Sequence, residues 1–458
     1  RNQNCRQVAE TFANCANFHL VGLISMAQAD EGESVFPIAI LIDELKNEDV
    51  QLRLNSVRRL PVISKALGTE RTRNELIPYL TDSIDDKDEV LLAMAEELGK
   101  FIPYVGGPHQ AGCLLSPLES LCNMEEGVVR EKAVASLNGI AKELPSELLQ
   151  NDYITMIRRL ARQEWATSRA AVCHLFHTPY PLLSEALKTE FRDMYAKLCK
   201  DEEPMVRRAA CSNLKNFVAV IKNRIMVVNV FVPIFTEQSK DEQDSVRLLS
   251  VENCIALGQA LGNKEQVQQH ILPVVKNYCI DKSWRVRYML ADHFTGICES
   301  MVEEVTQNEM VKSFIFLATD KESEVRTSIA YKVYDFCVLI KTEQIVKDVL
   351  PIICELVSDQ SQHVRAALAK VIMKMSSMIG KDNTINYLLP LFLTLLKDEF
   401  PEVRLNIISK LESVNEVIGI ERLSKSLLPA VVNLAEDKQW RGGGGPLKEK
   451  PPPAPPPG

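Results

Sequence analysis

The sequence lacks the short motifs that mark most enzymes of nucleotide, peptide and ester chemistry. Its 458 residues contain no GxxxxGK[ST], no GxGxxG after a strand, no HExxH and no GxSxG. The twelve cysteines form no CxxC pair and fall mostly in apolar stretches, which indicates small buried side chains and a reducing compartment. We therefore predict no catalytic residue, no cofactor site and no metal site.

An excess of basic charge and long apolar runs are also missing. The chain has 53 basic and 61 acidic residues, which argues against the basic surface of a sequence-independent nucleic-acid binder. No apolar run approaches the roughly 18 residues that a membrane span requires. His174 and His177 have i, i+3 spacing on a predicted helix, but no further ligands lie nearby and packing explains them better. We expect a soluble, cytoplasmic protein, with the nucleus as an additional location, that binds neither nucleic acid nor membrane.

One pattern, an apolar residue followed by Arg, recurs through most of the chain. The spacing between copies is nearly constant, and an Asp usually stands six residues before the Arg. The copies are Leu52-Arg53, Val90-Leu91 (with Leu in place of Arg), Val129-Arg130, Ser168-Arg169, Val206-Arg207, Val246-Arg247, Val286-Arg287, Val325-Arg326, Val364-Arg365 and Val403-Arg404. A period held this regularly is the signature of a repeat array.

Each repeat reads as two antiparallel helices joined by a short polar turn. The first helix has a proline near its predicted start, as at Pro273 and Pro351, and the second begins close to the apolar-Arg pair. One such hairpin cannot bury both of its apolar stripes, so it must stack on the next hairpin. The sequence therefore predicts an all-α HEAT-repeat α-solenoid that forms a curved, horseshoe-like superhelix.

The Asp and Arg columns predict a structural ladder rather than a catalytic site. Stacking would bring each Arg within reach of its own or a neighbouring Asp, in charge-assisted hydrogen bonds that fix the register of the repeats. At an exposed rim such pairs contribute only about 0–1 kcal/mol each, so we expect them to set spacing more than stability. The ladder residues are Asp241, Arg247, Asp281, Arg287, Asp320, Arg326, Asp359, Arg365, Asp398 and Arg404.

The repeat pattern divides the chain into three regions. Residues 1–34 lack it and are expected to be a disordered extension, in which Met26 is a candidate initiator. Residues 35–441 hold ten full repeats and the first half of an eleventh. The next ladder Arg is due at position 443, where the sequence instead reads Gly442-Gly-Gly-Gly445. Residues 442–458 are a Gly/Pro-rich tail, expected to be disordered.

All three tryptophans fall in the turns inside the repeats. Trp165, Trp284 and Trp440 lie three or four residues before the Arg position of their repeats. An exposed Trp beside Arg is typical of binding hot spots, although each Trp could equally fold back over the neighbouring repeat. The segment Pro204-Met-Val-Arg207-Arg208 is a second candidate, in which Arg208 carries the charge that the ladder does not use.

Several of these segments resemble the scaffold (A) subunit family of protein phosphatase 2A. They include Phe36–Ser56, Pro204–Ala210, Asp241–Leu249, Asp281–Met289 and Gly380–Ile420, and the resemblance runs from about Met26 to Arg441. The family implies a non-catalytic HEAT-repeat scaffold that joins a phosphatase catalytic subunit to a regulatory (B-type) subunit. It has fifteen repeats, so this chain would be truncated within the eleventh.

The resemblance also implies binding residues in the turns. Regulatory subunits use the turns of the N-terminal and middle repeats, and the catalytic subunit uses those of the last five. The residues implied for regulatory-subunit binding are Trp165, Glu202, Pro204, Arg207, Arg208, Ser283, Trp284 and Arg285. Only Trp440 and Arg441 remain for the catalytic subunit, whose binding we expect to be lost or weak. The alternative function is a generic HEAT-repeat adaptor, such as a transport receptor or condensin-like scaffold.

Overall fold

The computed structural model describes residues 43–427, together with 429 and 432, and every regular element among them is helical. The chain divides into two compact units, Arg1–Ile221 and Lys222–Gly458. No helix in the described part combines the length and the apolar character that crossing a membrane requires. The predicted extension of residues 1–34 and the tail of residues 442–458 lie outside the described residues.

The first unit contains eleven α-helices within its described residues. They are α1 (Val50–Arg58), α2 (Leu60–Arg71), α3 (Ile77–Asp82), α4 (Asp88–Leu98), α5 (Leu115–Leu121), α6 (Gly127–Ala141), α7 (Ser146–Leu148), α8 (Ile154–Leu160), α9 (Ala166–Val172), α10 (Glu185–Leu198) and α11 (Pro204–Ala219). The second helices of successive repeats pack side by side, α1 on α4, α4 on α6 and α9 on α11.

The second unit repeats the same arrangement. Its described α-helices are α12 (Arg224–Met226), α13 (Val232–Gln238), α14 (Asp244–Leu261), α15 (Lys264–His270), α16 (Leu272–Cys279), α17 (Trp284–Glu299), α18 (Glu303–Val305), α19 (Val311–Ala318), α20 (Ser323–Cys337), α21 (Thr342–Gln344), α22 (Leu350–Val357), α23 (Gln362–Val371), α24 (Ser376–Asn383), α25 (Leu389–Leu396), α26 (Pro401–Ile408), α27 (Leu411–Ile418) and α28 (Ile420–Ser426). The helices α14, α17, α20, α23 and α26 pack in that order and are the second helices of their repeats.

Apolar side chains between the helix layers form the core of each unit. In the second unit Phe314 stacks on Phe336 with ring centroids 4.6 Å apart, and Phe294 meets Phe336 edge-on at 5.3 Å. Of the ten cysteines in the described part, eight are buried, and burial raises the pKa of the Cys122 and Cys337 thiols to about 12. These cysteines are small packed side chains, in agreement with the prediction.

The prolines of the first helices lie later in the helix than predicted. Pro351 is the second residue of α22, but the π-helical turn Ile345–Val349 and the short helix α21 precede it without a break. A π turn disrupts the regular i→i−4 hydrogen bonding that proline cannot join, so the helix tolerates the ring. The π turn Thr306–Met310 occurs before α19, which has no proline. The turn is therefore a feature of the repeat that accommodates proline rather than a result of it.

Each ladder Arg except Arg404 bridges its own turn and the Asp of the next repeat. In the second unit Arg287 donates from Nε and Nη2 to Asp320 at 2.6 and 3.0 Å, while its Nη1 donates to the carbonyl of Asp281 at 2.7 Å. The same arrangement recurs at Arg247–Asp281, Arg326–Asp359 and Arg365–Asp398, and in the first unit at Arg53–Asp86 and Arg169–Asp201.

The ladder pairs are buried or largely shielded from water, which corrects the expectation of rim-exposed pairs. The side chains of Arg287 and Asp320 are 6% and 3% exposed, and those of Arg247 and Asp281 are 6% and 10% exposed. Breaking a buried pair by removing one partner typically costs about 3–5 kcal/mol, because the other charge stays buried without compensation. The ladder therefore contributes to stability as well as to register.

Within the described residues, Arg404 makes the ladder contacts with its own turn but not those with a following repeat. Its Nη1 donates to the carbonyls of Asp398 and Glu399 at 2.7 and 3.0 Å, while its buried Nε and Nη2 have no hydrogen-bond partner there. Every other ladder Arg of the second unit donates from this side of its guanidinium, through Nε, to the carboxylate of the Asp in the following repeat. The spacing predicts Asp437 as the partner, which lies outside the described residues.

The two histidines that have metal spacing do not share a helix face. Helix α9 ends at Val172, so His174 and His177 lie in an irregular segment that leads to the 3-10 turn Tyr180–Leu182. Burial lowers the pKa of both imidazoles, which are therefore neutral near pH 7. No group of three or more His, Cys, Asp or Glu side chains in the described part of the chain could hold a metal ion.

Candidate protein-docking ridge

The turns between the two helices of each repeat carry most of the residues for which the sequence predicts binding. In each unit we call the edge formed by these turns the turn ridge. In the second unit it includes residues 241–243 and 281–285, and in the first unit residues 163–165 and 201–204. The same carboxylates and guanidiniums that form the ladder fix the backbone of these turns.

The turn before α17 is held at three points. Asp281 accepts the backbone N–H of Ser283 at 2.8 Å and receives Nε and Nη2 of Arg247 at 2.8 and 2.9 Å. Arg287 binds the carbonyl of Asp281 from the opposite side. Ser283 adds a link to the preceding repeat, because its Oγ donates to Oδ2 of Asp244 at 2.8 Å. The turn is therefore rigid at the point where Trp284 begins the helix.

Hydrogen bonding to the carboxylates raises the pKa of the ladder guanidiniums. The hydrogen bond from Arg247 to Asp281 raises the pKa of Arg247 against the opposing effect of burial, and that from Arg287 to Asp320 does the same for Arg287. In the first unit the pKa of Asp201 is lowered. Burial opposes this shift, but the hydrogen bonds from Arg169 and from the backbone of Glu203 outweigh it.

Trp284 and Arg285 project from this rigid turn. Trp284 is 38% exposed and meets the ring of Tyr288 edge-on at 6.4 Å, and Arg285 is exposed. Beside them an open cleft of about 380 Å³ separates the turns of two successive repeats. Its lining residues are Glu242, Gln243, Asp244, Arg247, Lys282, Ser283, Trp284 and Arg285. The cleft combines an aromatic wall with charges of both signs, a composition suited to a protein partner.

The first unit presents a second group of ridge residues. Trp165 is 73% exposed at the N-cap of α9, so it does not fold back over a neighbouring repeat. Glu202 is exposed, and its carbonyl accepts Nη1 of Arg207 at 3.0 Å. Pro204 begins α11, where the missing N–H needs no intrahelical partner. Arg208 is half-buried and makes no hydrogen bond or ion pair within the described residues.

The predicted residues therefore fall into two structural groups. Arg207 and Ser283 are engaged within the protein, Arg207 with the carbonyls of its own turn and Ser283 with Asp244. Trp165, Arg208, Trp284 and Arg285 project from the turns or lie beside them. Sequence reasoning did not identify Asp244 and the cleft, although a separation of one repeat places Asp244 beside Ser283. Trp440 and Arg441 lie outside the described residues.

Comparison with known proteins shows which family the chain resembles. The description "PPP2R1A-like HEAT repeat" matches residues 303–380, and "HEAT repeat" matches residues 191–221 and 388–418. The probable serine/threonine-protein phosphatase PP2A regulatory subunit of Caenorhabditis elegans is 50% identical over 250 residues, covering 54% of this chain and 42% of that protein. The regulatory A-subunit of protein phosphatase PP2A from Schizosaccharomyces pombe is 46% identical over 285 residues, covering 62% and 48%.

The resemblance to the PP2A A-subunit family is confirmed. The beta isoform of the 65 kDa regulatory A-subunit of serine/threonine-protein phosphatase 2A from Homo sapiens is 54% identical over 196 residues, covering 43% of this chain and 33% of that protein. The chain spans less than half the length of these curated relatives. The part that it shares with the PP2A A-subunits includes HEAT repeats, and the fold is an all-α HEAT-repeat solenoid, as predicted.

Solved structures support the same fold over a longer part of the chain. The crystal structure of the karyopherin Kap121p, bound to the extreme C-terminus of the protein phosphatase Cdc14p, has a TM-score of 0.57 and covers 92% of this chain and 46% of that one. A Kap95p complex with RanGDP has a TM-score of 0.59 and covers 95% and 57%. At 16% and 15% sequence identity these likenesses show the fold alone.

Proposed function

We propose that this chain is a non-catalytic scaffold subunit of the protein phosphatase 2A type, which binds a regulatory (B-type) subunit through its turn ridge. The observation that carries the proposal is the rigid turn before α17, which holds Trp284 and Arg285 outward while Asp281 and Arg287 fix its backbone. Aromatic and Arg side chains on a pre-organised surface are typical binding hot spots. The relatives at 46% to 54% identity are named as PP2A regulatory subunits, which supports a partner within PP2A, and the B-type class is what the family resemblance implies.

The ridge residues have different roles in the proposal. Trp165, Arg208, Trp284 and Arg285 are accessible and are proposed to contact the regulatory subunit directly. Glu202 and Pro204 are proposed to shape the same surface. Arg207 and Ser283 are proposed to act mainly by holding their turns, because their side chains already have partners within the protein.

Catalytic-subunit binding is a separate part of the proposal. In this chain it would depend on Trp440 and Arg441, the two residues that the family resemblance leaves for that contact. We propose that the chain holds the catalytic subunit weakly or not at all. The sequence provides no catalytic constellation of its own, so any phosphatase activity in the assembly would belong to the partner.

The proposal is tested by measuring the affinity of the full chain for a purified B-type regulatory subunit. Truncation of a hot-spot residue costs at least about 1–2 kcal/mol, so Trp284→Ala and Arg208→Ala should each weaken binding by roughly five- to thirtyfold. Far-UV circular dichroism should stay unchanged, since neither side chain is buried. Tyr387→Ala is the matched control, because Tyr387 is 46% exposed in a π turn away from the ridge.

Two results would contradict the proposal. Full affinity in both ridge variants would exclude the turn ridge as the docking surface, and absence of regulatory-subunit binding by the unmodified chain would favour a general HEAT-repeat adaptor. A pull-down with the catalytic subunit tests the second part separately. Strong capture of that subunit by this chain would show that Trp440 and Arg441 are not the limit of its contact surface.

A further inference from the structure

Two lysine–tyrosine pairs lie side by side where the second helix α20 packs against α23 and the 3-10 turn Ile372–Met375 that follows it. The Nζ of Lys370 lies 5.4 Å from the ring centroid of Tyr331 and 3.4 Å from its hydroxyl oxygen. The Nζ of Lys374 lies 5.4 Å from the ring centroid of Tyr334. We call these four residues the lysine–tyrosine strip. Each lysine lies one repeat beyond its tyrosine in the sequence, so only the stacking of successive repeats brings the partners together.

The strip is accessible and carries unused positive charge. Tyr331 is 39% exposed, Lys370 and Lys374 are exposed, and Tyr334 is half-buried. Neither lysine forms an ion pair with a carboxylate within the described residues. Contacts with the two tyrosines hold both ammonium groups beside α20. The lysine side chains are therefore already restricted, and a partner would lose less conformational entropy in binding them.

Charges of both signs surround the strip, among them Glu412 and Glu416 of α27, which packs on the 3-10 turn that holds Lys374. On the side of α17, Lys332 pairs with Asp292 at 3.4 Å, so these two charges largely cancel. Asp335 follows Tyr334 on α20 and is an exposed carboxylate that opposes binding of a second acid. The chain as a whole has a formal net charge of −8. Two adjacent cations without acidic partners in the described part of the chain therefore give this patch a local positive charge on an acidic protein.

We propose that the lysine–tyrosine strip docks an acidic helical segment of a protein partner. Tyr331 and Tyr334 stand at i and i+3 on α20, about one turn apart, and the two lysines contact them from α23 and from the 3-10 turn Ile372–Met375 that follows it. Side chains one turn apart on a helix have Cβ atoms about 5–6 Å apart, which is also the spacing of two glutamates at i and i+4. Each carboxylate would receive one ammonium, and the Tyr331 hydroxyl would donate a further hydrogen bond.

The geometry favours an acidic peptide over single-stranded nucleic acid. Nucleic-acid binding on aromatic residues requires open ring faces on which bases stack. In the strip an ammonium group stands beside each ring, near the hydroxyl of Tyr331 and 5.4 Å from the ring centroid of Tyr334, where it would hinder a stacking base. The carboxylates of Asp335 and Asp292 would also repel a continuous phosphate backbone, whereas a peptide can place its two acids beside the lysines only.

The experiment measures fluorescence anisotropy of a labelled, alanine-rich helical peptide with glutamate pairs at i, i+4 spacing, titrated with the full chain. The unmodified chain should bind this probe, and binding should weaken as salt is raised from about 50 to about 300 mM. Lys370→Glu with Lys374→Glu should weaken binding at least tenfold. Asp335→Asn should strengthen it, because an opposing carboxylate is removed.

Matched controls separate the strip from the general charge of the protein. Lys341→Glu with Lys347→Glu makes the same change of charge in the first helix of a repeat, at two exposed lysines, and should leave binding unchanged. If the charge reversal disturbs folding by circular dichroism, Lys370→Gln with Lys374→Gln removes the charges without reversing them. The proposal is overturned if the strip variant binds as well as the unmodified chain, if both double variants lose affinity equally, or if labelled oligouridine binds more tightly than the acidic peptide.

Discussion

Replacing Arg287 by alanine should destabilise the second unit far more than a typical surface ion pair would suggest. Arg287 makes three hydrogen bonds, two to the carboxylate of Asp320 and one to the carbonyl of Asp281, at 2.6 to 3.0 Å. Both charged side chains are nearly inaccessible to water, at 6% and 3% exposure. Arg287→Ala therefore leaves a buried carboxylate that still accepts the backbone N–H of Glu322 at 2.9 Å but has lost its guanidinium.

The expected loss follows from that uncompensated charge. Removal of one partner of a buried pair costs about 3–5 kcal/mol, whereas replacement of both partners by apolar residues of similar volume is often neutral or stabilising. The double variant Arg287→Met with Asp320→Leu should therefore recover most of the free energy of unfolding that Arg287→Ala loses. This non-additivity is what distinguishes a buried charge from a lost packing contact.

The chain supplies its own control for burial. Arg158 and Glu190 form a pair of the same two-bond geometry, at 2.7 and 2.8 Å, but with side chains 32% and 36% exposed. Arg158→Ala should lower the free energy of unfolding by only about 0–1 kcal/mol. Urea unfolding followed by circular dichroism, with hydrogen exchange to locate the change, measures both. A loss at Arg287 no larger than that at Arg158 would refute the reasoning.

Two further predictions concern other parts of the chain. Burial lowers the pKa of His174, and burial with the nearby charges of His174 and Lys142 lowers that of His177. The unfolded chain thus takes up protons near pH 6.5 before the folded chain does. Stability should fall as pH drops below about 6.5. His177→Gln should reduce the dependence of the urea unfolding midpoint on pH between pH 7 and 5, and an unchanged dependence would contradict this. Gly262, at φ +58° after α14, should tolerate alanine poorly. The added Cβ would lie 2.6 Å from Nη2 of Arg224, so we expect a loss of about 1 kcal/mol in thermal unfolding, only part of which Arg224→Ala relieves.

The sequence was sufficient to predict the repeats, because their nearly constant period is visible without any knowledge of packing. It could not decide whether each Arg contacts its own turn or the next one. The Asp of the same repeat and the Asp of the following repeat are equally good candidates by spacing. The structure uses both, through different nitrogens of one guanidinium, and only the burial of that contact reveals its energetic weight.

Local irregularities were harder to predict. Helix α9 ends at Val172. Pro179 and Pro181 indicate that a helix cannot continue through them, but they lie several residues beyond its actual end. The π turns have no comparable signal, because they occur both with and without a following proline. The lysine–tyrosine strip was not visible either, since its partners are about one repeat apart and each helix taken alone has an ordinary mixed surface.

The rigidity of the turn before α17 links the ladder to the proposed docking. A side chain that is already fixed loses little conformational freedom on binding, so more of its contact energy remains as affinity. Asp281 fixes the turn because it accepts both the N–H of Ser283 and the guanidinium of Arg247. The residues that hold the repeats in register therefore also orient Trp284 and Arg285. Within this one short stretch, the buried side chains set the geometry and the exposed side chains remain accessible to a partner.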